Sequence, residues 1–387
     1  MESTAPAVFD VGFVLLLAAV GGWLARRVGL PAVLGYLAVG LVVSPFTPGY
    51  VADRHQLELF ADVGVVLLLF EVGIEIDPLE IGRERGRLFL VAPIQVVLST
   101  LVAGGLGLAA GLRPAGALLL GLCVALSSSV VVVNITRSRR RTTDAATDQV
   151  LLGWSVVQDM VGVALAIVAV IALGLQARSG PIALALTLLY LAIVVIAAAL
   201  LPRLLRAMRN EHDLFLVFTI ASALALAGIG SVVFGIPLAL AAFVSGLAIT
   251  ESREAAEARQ RLLPFRDLFA VLFFVAIGAL VDPTALLKGL GWLGLLLGLL
   301  IVAKLIPVYA LARFVRVSAR PLQVGIGLAQ IGEFSFVLAT IGLAHNLLPR
   351  ELYAAILASV VITIAASTVL VRVGFNVDAR RLPRPAG

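Results

Sequence analysis

Charge is scarce in this sequence. Only 13% of its 387 residues are Asp, Glu, Lys or Arg, while 61% are hydrophobic, and the mean hydropathy is +1.10. No soluble globular domain hides that much apolar surface in a core, so the composition excludes one and leaves a polytopic membrane protein. The formal net charge of +6 would point to nucleic acid only if basic residues clustered on one solvent face. Here they sit in short loops between apolar runs, so no nucleic-acid partner is expected. A single cysteine, Cys123, excludes an intramolecular disulfide; inside an apolar run it reads as a small packing residue. Three histidines, His55, His212 and His345, lie near run ends without metal-ligand spacing. A phosphate loop, a dinucleotide fingerprint and a nucleophile elbow are all missing from workable contexts, so neither an enzyme nor a cofactor is expected. The N-terminus, MESTAPAVFD, lacks the basic region of a signal peptide, and the first apolar run is expected to stay as a span.

What the chain does have is apolar runs of the 17 to 25 residues that cross about 30 Å of hydrocarbon as helix. Thirteen are expected, near residues 8–26, 31–47, 57–76, 87–111, 115–137, 147–173, 182–203, 212–230, 237–251, 263–281, 287–314, 321–345 and 351–374. With the N-terminus outside, 23 of the 29 basic residues fall in inside segments, 5 fall outside, and Lys304 lies within a span. That asymmetry follows the positive-inside rule, and a missed span would invert every later loop. The expectation is therefore a multi-pass inner-membrane protein with its C-terminus in the cytoplasm and membrane lipids as its surroundings.

Two stretches repeat. LGYLAVGL at 34–41 aligns with LAAFVSGL at 240–247, and LLFEVGIEIDP at 68–78 aligns with FFVAIGALVDP at 273–283, at offsets of 206 and 205. The mates are seven spans apart, an odd number, so the second half enters the membrane inverted. This predicts a six-helix inverted-topology repeat, with repeat one at about 8–173, a linker helix at 182–203 and repeat two at 212–374. No soluble regulatory domain is expected.

The polar residues left at mid-depth mark the site. The fifth run carries Ser127, Ser128 and Ser129; its repeat mate, the twelfth, carries Gln330, Gly332, Glu333 and Ser335. Small and polar residues there predict that both helices unwind, which membrane interiors tolerate only around a protein-lined or wet cavity. The sixth run holds Gln158-Asp159 without a basic neighbour, although a charge at the bilayer centre costs about 2.5 to 3.5 kcal/mol. Asp159 among hydroxyls and freed carbonyls offers hard oxygen ligands to an alkali-metal ion. If only an occupied carboxylate can cross between outward and inward states, proton and cation must exchange. Lys304 and Glu333 are candidate supporting charges. A packing ion pair competes as a reading for Lys304. Glu71, in the third run, is a weaker candidate that can instead bond across to a neighbouring helix, and Asp62 is weaker too. Asp77 and Asp282 precede prolines and read as turn residues.

GYLAVGLVVSP, LLLFEVGIEIDP, ALSSSVVV, Gln158-Asp159, FFVAIGALVDP and GLAQIGEFSFVLA together span nearly the whole chain. On them the chain resembles the monovalent cation:proton antiporters of the second family, which include Kef-type potassium efflux systems and Nap-type sodium/proton antiporters. The resemblance implies a sodium/proton antiporter-like fold: an all-α homodimer of thirteen-span protomers with two broken, crossing helices. The core is expected at about 57–173 and 263–374, with the remaining helices as scaffold and dimer contact. It implies Asp159 as ion and proton carrier, with Gln158 beside it, Ser127 and Ser128 at the first crossover, Glu333 at the second, and Lys304 as basic partner. Ser129 and Gln330 are weaker neighbours. Gln-Asp in place of the Asn-Asp or Asp-Asp of sodium-type relatives favours potassium, and one carboxylate in place of two favours electroneutral exchange. Kef-type systems usually continue into a nucleotide-binding domain; for this chain the expectation is that such regulation is absent, that a separate cytoplasmic nucleotide-binding regulatory subunit supplies it, or that the natural chain continues further. The expected activity is elevator-like antiport of potassium or sodium against protons; a non-transporting ion sensor on the same fold is the alternative.

Overall fold

The computed structural model describes residues 5–47, 54–75, 87–136, 143–175, 180–250, 252–314, 319–332 and 334–381, and among them it forms helices and no strand. In hydrocarbon a helix satisfies its own backbone, which an open strand cannot do. The first half runs α1 (Ala5–Arg27), α2 (Ala32–Val42), α3 (Arg54–Glu75), α4 (Leu88–Ala109), α5 (Pro114–Ala125), α6 (Ser129–Thr136) and α7 (Ala145–Ala172). Next come α8 (Gly180–Ala207), α9 (His212–Val232), α10 (Leu238–Leu247), α11 (Ala255–Ala279) and α12 (Pro283–Lys288). The chain continues with α13 (Leu290–Phe314), α14 (Pro321–Leu328), α15 (Phe334–Ala344) and α16 (Arg350–Arg381). Among the described residues eight helices (α1, α4, α7, α8, α9, α11, α13 and α16) are long and apolar enough to cross a membrane, and α2, α5, α10 and α15 are shorter apolar helices.

The two runs expected to unwind are each broken in two, α5 from α6 at Leu126–Ser128 and α14 from α15 after Leu328. Both broken helices start alike. Pro114 and Pro321 open α5 and α14, where a missing N–H costs nothing and the fixed φ suits a first turn. Glu333 and Asp77, both singled out in the sequence, lie outside the described residues.

Contacts divide the chain into two compact units. The first comprises Met1–Leu24, Gly35–Glu80 and Val170–Leu280. Its core shows the repeat directly. A Cβ on Gly40 of α2 would lie 2.1 Å from the Val275 carbonyl of α11, and one on Gly278 would lie 2.2 Å from the Leu37 carbonyl. The repeat mates do the same: Gly246 of α10 against the Phe70 carbonyl of α3 at 2.2 Å, Gly73 against that of Phe243 at 2.4 Å. Only glycine permits backbones this close. These contacts also set a difference from the sequence-based grouping. The helices at 57–76 and 263–281, grouped there with the ion-carrying set, pack in the first unit as α3 and α11, because their motif glycines meet α10 and α2.

Glu71 of α3 is 2% exposed and pairs with Arg259 and with Arg266 of α11, the latter at 2.8 Å. It therefore bonds across to a neighbouring helix, which satisfies a carboxylate that would otherwise be buried at high cost.

The second unit comprises Ala25–Leu34, Ile81–Ala169 and Val281–Gly387. Asp282 accepts from the Thr284 N–H at 2.8 Å and caps α12, the turn chemistry its sequence position suggests. At the start of α7, Asp144 accepts from the Thr147 N–H at 2.8 Å and pairs with Arg320 at 3.0 Å. Arg320 also donates its backbone N–H to Thr147 Oγ1 at 3.1 Å. The starts of α7 and α14 are thus clipped together, and both helices run on to the site.

Candidate functional site

Breaking a helix strands backbone donors and acceptors, each of which needs a new partner inside a membrane. The first break, Leu126–Ser128, finds them in two glutamine side chains. Gln158 Oε1 accepts from the Ser127 N–H at 3.0 Å, while its Nε2 donates to the Ala125 carbonyl at 3.0 Å. Gln330 Oε1 accepts from the Ser128 N–H at 2.8 Å, and its Nε2 donates to the Ser128 carbonyl at 3.0 Å. The first amide comes from α7 and the second from the facing break.

The breaks themselves cross in contact. The Gly332 N–H donates to the Leu126 carbonyl at 3.0 Å, and Ser127 Oγ donates to the Leu328 carbonyl at 2.7 Å. A side chain at Gly332 is excluded, because its Cβ would sit 2.4 Å from the Ser127 carbonyl. Thr363 of α16 accepts from the Ile331 N–H at 3.2 Å and holds the second break from behind. Ser128 Oγ accepts from the Val131 N–H at 3.3 Å, an N-cap for α6. Ser129 is the first residue of α6.

Lys304 reaches the crossing from α13. Its ammonium donates to the Leu126 carbonyl at 2.7 Å and the Gln330 carbonyl at 2.6 Å, one from each break. The side chain is fully buried, and Asp159 of α7, 1% exposed, acts on it electrostatically. Among the described residues, the centre of the unit therefore holds one carboxylate, one ammonium and two sets of freed carbonyls, shut away from solvent. A buried ion needs this kind of company, since desolvation otherwise outweighs the attraction.

Lys304 lies in a π turn, Leu300–Leu305, and the sequence explains the distortion. Pro307 has no N–H for the Ala303 carbonyl four residues earlier, and its ring crowds that carbonyl. Ser99 Oγ of α4 donates to Ala303 instead.

The structure thus brings together Asp159, Gln158, Ser127, Ser128, Gln330 and Lys304. Glu71 packs in the first unit, and Glu333 lies outside the described residues. Two site residues went unread in the sequence, Gln95 and Ser99 of α4. Gln95 Oε1 accepts from Gln158, and its Nε2 donates to Ser99 Oγ at 2.9 Å and to the Ala125 carbonyl at 3.2 Å. A Gln and a Ser spaced i, i+4 in an otherwise apolar span were the available signal.

Comparison with known proteins gives a family and a fold. The family described as "Sodium/hydrogen exchanger, transmembrane" matches residues 15–375. YbaL of Escherichia coli (strain K12), whose name assigns it provisionally to cation/proton antiport, is 31% identical over 385 residues, 96% of this chain and 69% of its own length. The solved sodium proton antiporter MjNhaP1 of Methanocaldococcus jannaschii, at pH 8, superposes with a TM-score of 0.73 over 99% of each chain at 17% identity. That likeness establishes a common fold.

Proposed function

The chain belongs to the sodium/hydrogen exchanger family and is a cation/proton antiporter; from that premise we propose that it carries potassium in preference to sodium, with Asp159 as the carrier of both ion and proton. The observation that supports this most is the crossing itself: a buried carboxylate beside two broken helices whose freed carbonyls are held by an ammonium, Lys304. A desolvated alkali-metal ion requires negative charge and neutral oxygens in close array. Here Lys304 Nζ draws a neutral carbonyl from each break to one point, and Asp159 acts on it electrostatically.

The reading then runs as a cycle. Lys304 stands in for the transported cation at Leu126 and Gln330 while Asp159 is unoccupied. A cation or a proton arriving at Asp159 neutralises the carboxylate, and only the neutralised site crosses the membrane, in an elevator-like displacement of the unit that carries it. Potassium is favoured because Gln158 puts a neutral amide where a second acid would attract a smaller, more strongly hydrated ion. The same reading has the chain paired as a homodimer in the inner membrane, N-terminus outside, with a separate nucleotide-binding subunit as regulator.

The test is flux. Purified protein in proteoliposomes under an imposed pH gradient should change lumenal pH on addition of potassium, and less on addition of sodium at equal concentration. A larger response to sodium would remove the potassium assignment, and no cation-dependent response would favour an ion sensor. Repeating the assay with the membrane potential clamped separates electroneutral from electrogenic exchange.

A further inference from the structure

Polar atoms on α4 join the two charged helices of the site. Gln158 Nε2 donates to Gln95 Oε1, Gln95 Nε2 donates to Ser99 Oγ at 2.9 Å, and Ser99 Oγ donates to the Ala303 carbonyl. Gln95, Ser99 and Gln158 are all fully buried. The direction of the chain is forced. Gln158 must present its oxygen to the Ser127 N–H, so its amide nitrogen faces Gln95, which must answer with oxygen. Gln95 nitrogen then faces Ser99, whose only proton is left for Ala303. Aligned donors of this kind strengthen one another in a low-dielectric interior.

The chain ends one residue before Lys304, on a carbonyl that Pro307 leaves without its helical donor. Ser99 therefore supplies from outside a bond that Pro307 cannot supply from within the helix, and that turn aims the ammonium at Leu126 and Gln330. We propose that Gln95 and Ser99 are positioning residues of the antiport site: they hold the Lys304 turn in register with the first break and Gln158-Asp159, and so set how strongly Lys304 competes with the transported cation. This rests on the reading of Asp159 and Lys304 given above. Without Ser99 the turn relaxes, the ammonium withdraws from the two carbonyls, and a cation enters more easily.

The experiment titrates the purified full chain with potassium chloride at constant ionic strength and follows the thermal unfolding shift, alongside proteoliposome exchange. Wild type, Ser99→Ala, Ser99→Thr, Lys304→Met and the Ser99→Ala/Lys304→Met pair are compared. Ser99→Ala should lower the half-saturating potassium concentration about fivefold, the weight of one ordinary hydrogen bond. Ser99→Thr, which keeps the hydroxyl, should restore it, and in the Lys304→Met background Ser99→Ala should change nothing further. Gln95→Leu cuts the same chain elsewhere and should shift binding in the same direction. Unchanged half-saturation in Ser99→Ala, or an equal shift in the Lys304→Met background, overturns the inference. A wild type that binds potassium with this coupling but exchanges no protons overturns the transport reading alone. One that neither binds nor exchanges overturns both.

Discussion

Gln158 accepts the backbone N–H of Ser127 at 3.0 Å, so the residue next to Asp159 is engaged in closing a broken helix. Both hydrogens of its amide are committed as well, to Gln95 and to the Ala125 carbonyl. In this state Gln158 is a strut, and its effect on which ion is carried acts through the shape and charge of the break it braces.

Replacing Gln158 by Leu should therefore cost stability before it alters selectivity. Ser127 N–H and Gln95 Oε1 would lose these partners, and each buried orphan costs about 1 to 3 kcal/mol. Thermal unfolding in detergent should show a large drop in Tm, with no comparable drop for Gly105→Ala, where a Cβ meets nothing within 4 Å.

The glycine contacts of the first unit give a paired prediction. Gly40→Ala and Gly246→Ala should destabilise by similar amounts, since a new Cβ at either lies about as close to a carbonyl, at 2.1 and 2.2 Å. Core overpacking of this kind costs about 1 to 3 kcal/mol or more. Detergent melts of the two variants check it; one mild and one severe variant would break the symmetry claimed from the repeat.

Glu71→Gln tests whether that carboxylate is structural. Its arginine partners keep partial exposure, 32% for Arg259 and 24% for Arg266, so the loss should be about 1 to 3 kcal/mol, below the cost of breaking a fully buried pair. The half-saturating cation concentration for exchange should stay at the wild-type value. A shift in that concentration without a change in Tm would return Glu71 to the transport site.

Much of this was legible beforehand. The breaks were readable because Ser127–Ser129 and Gln330–Gly332 are repeat mates, so a weak signal appeared twice. The repeat glycines were visible as motif but not as contact: sequence aligns Gly40 with Gly246, whereas the structure packs Gly40 on Gly278 and Gly73 on Gly246. An internal repeat says which positions are equivalent, and equivalence is not touching. For that reason the packing partners of α3 and α11 were not readable from the motif.

Within the site, Asp159 and Lys304 stood out because a charge inside an apolar run is expensive wherever it points. Their roles were less readable. Nothing in the spacing of Lys304 said that its ammonium would meet the Leu126 and Gln330 carbonyls, because those acceptors exist only once two distant helices unwind. Gln95 and Ser99 were passed over because neutral polar residues in a membrane helix often bond locally or pack against a neighbour. Pro307, four residues after Ala303, was the sequence clue that an outside donor would be needed.

The central claim is that one carboxylate carries both ions, and proteoliposome exchange by Asp159→Asn beside wild type tests it most directly. Asn keeps the size of the side chain and removes its charge. Wild type should dissipate an imposed pH gradient when potassium is added, and Asp159→Asn, reconstituted at equal density with an intact melting transition, should not. Exchange by the Asn variant at the wild-type rate would contradict the account.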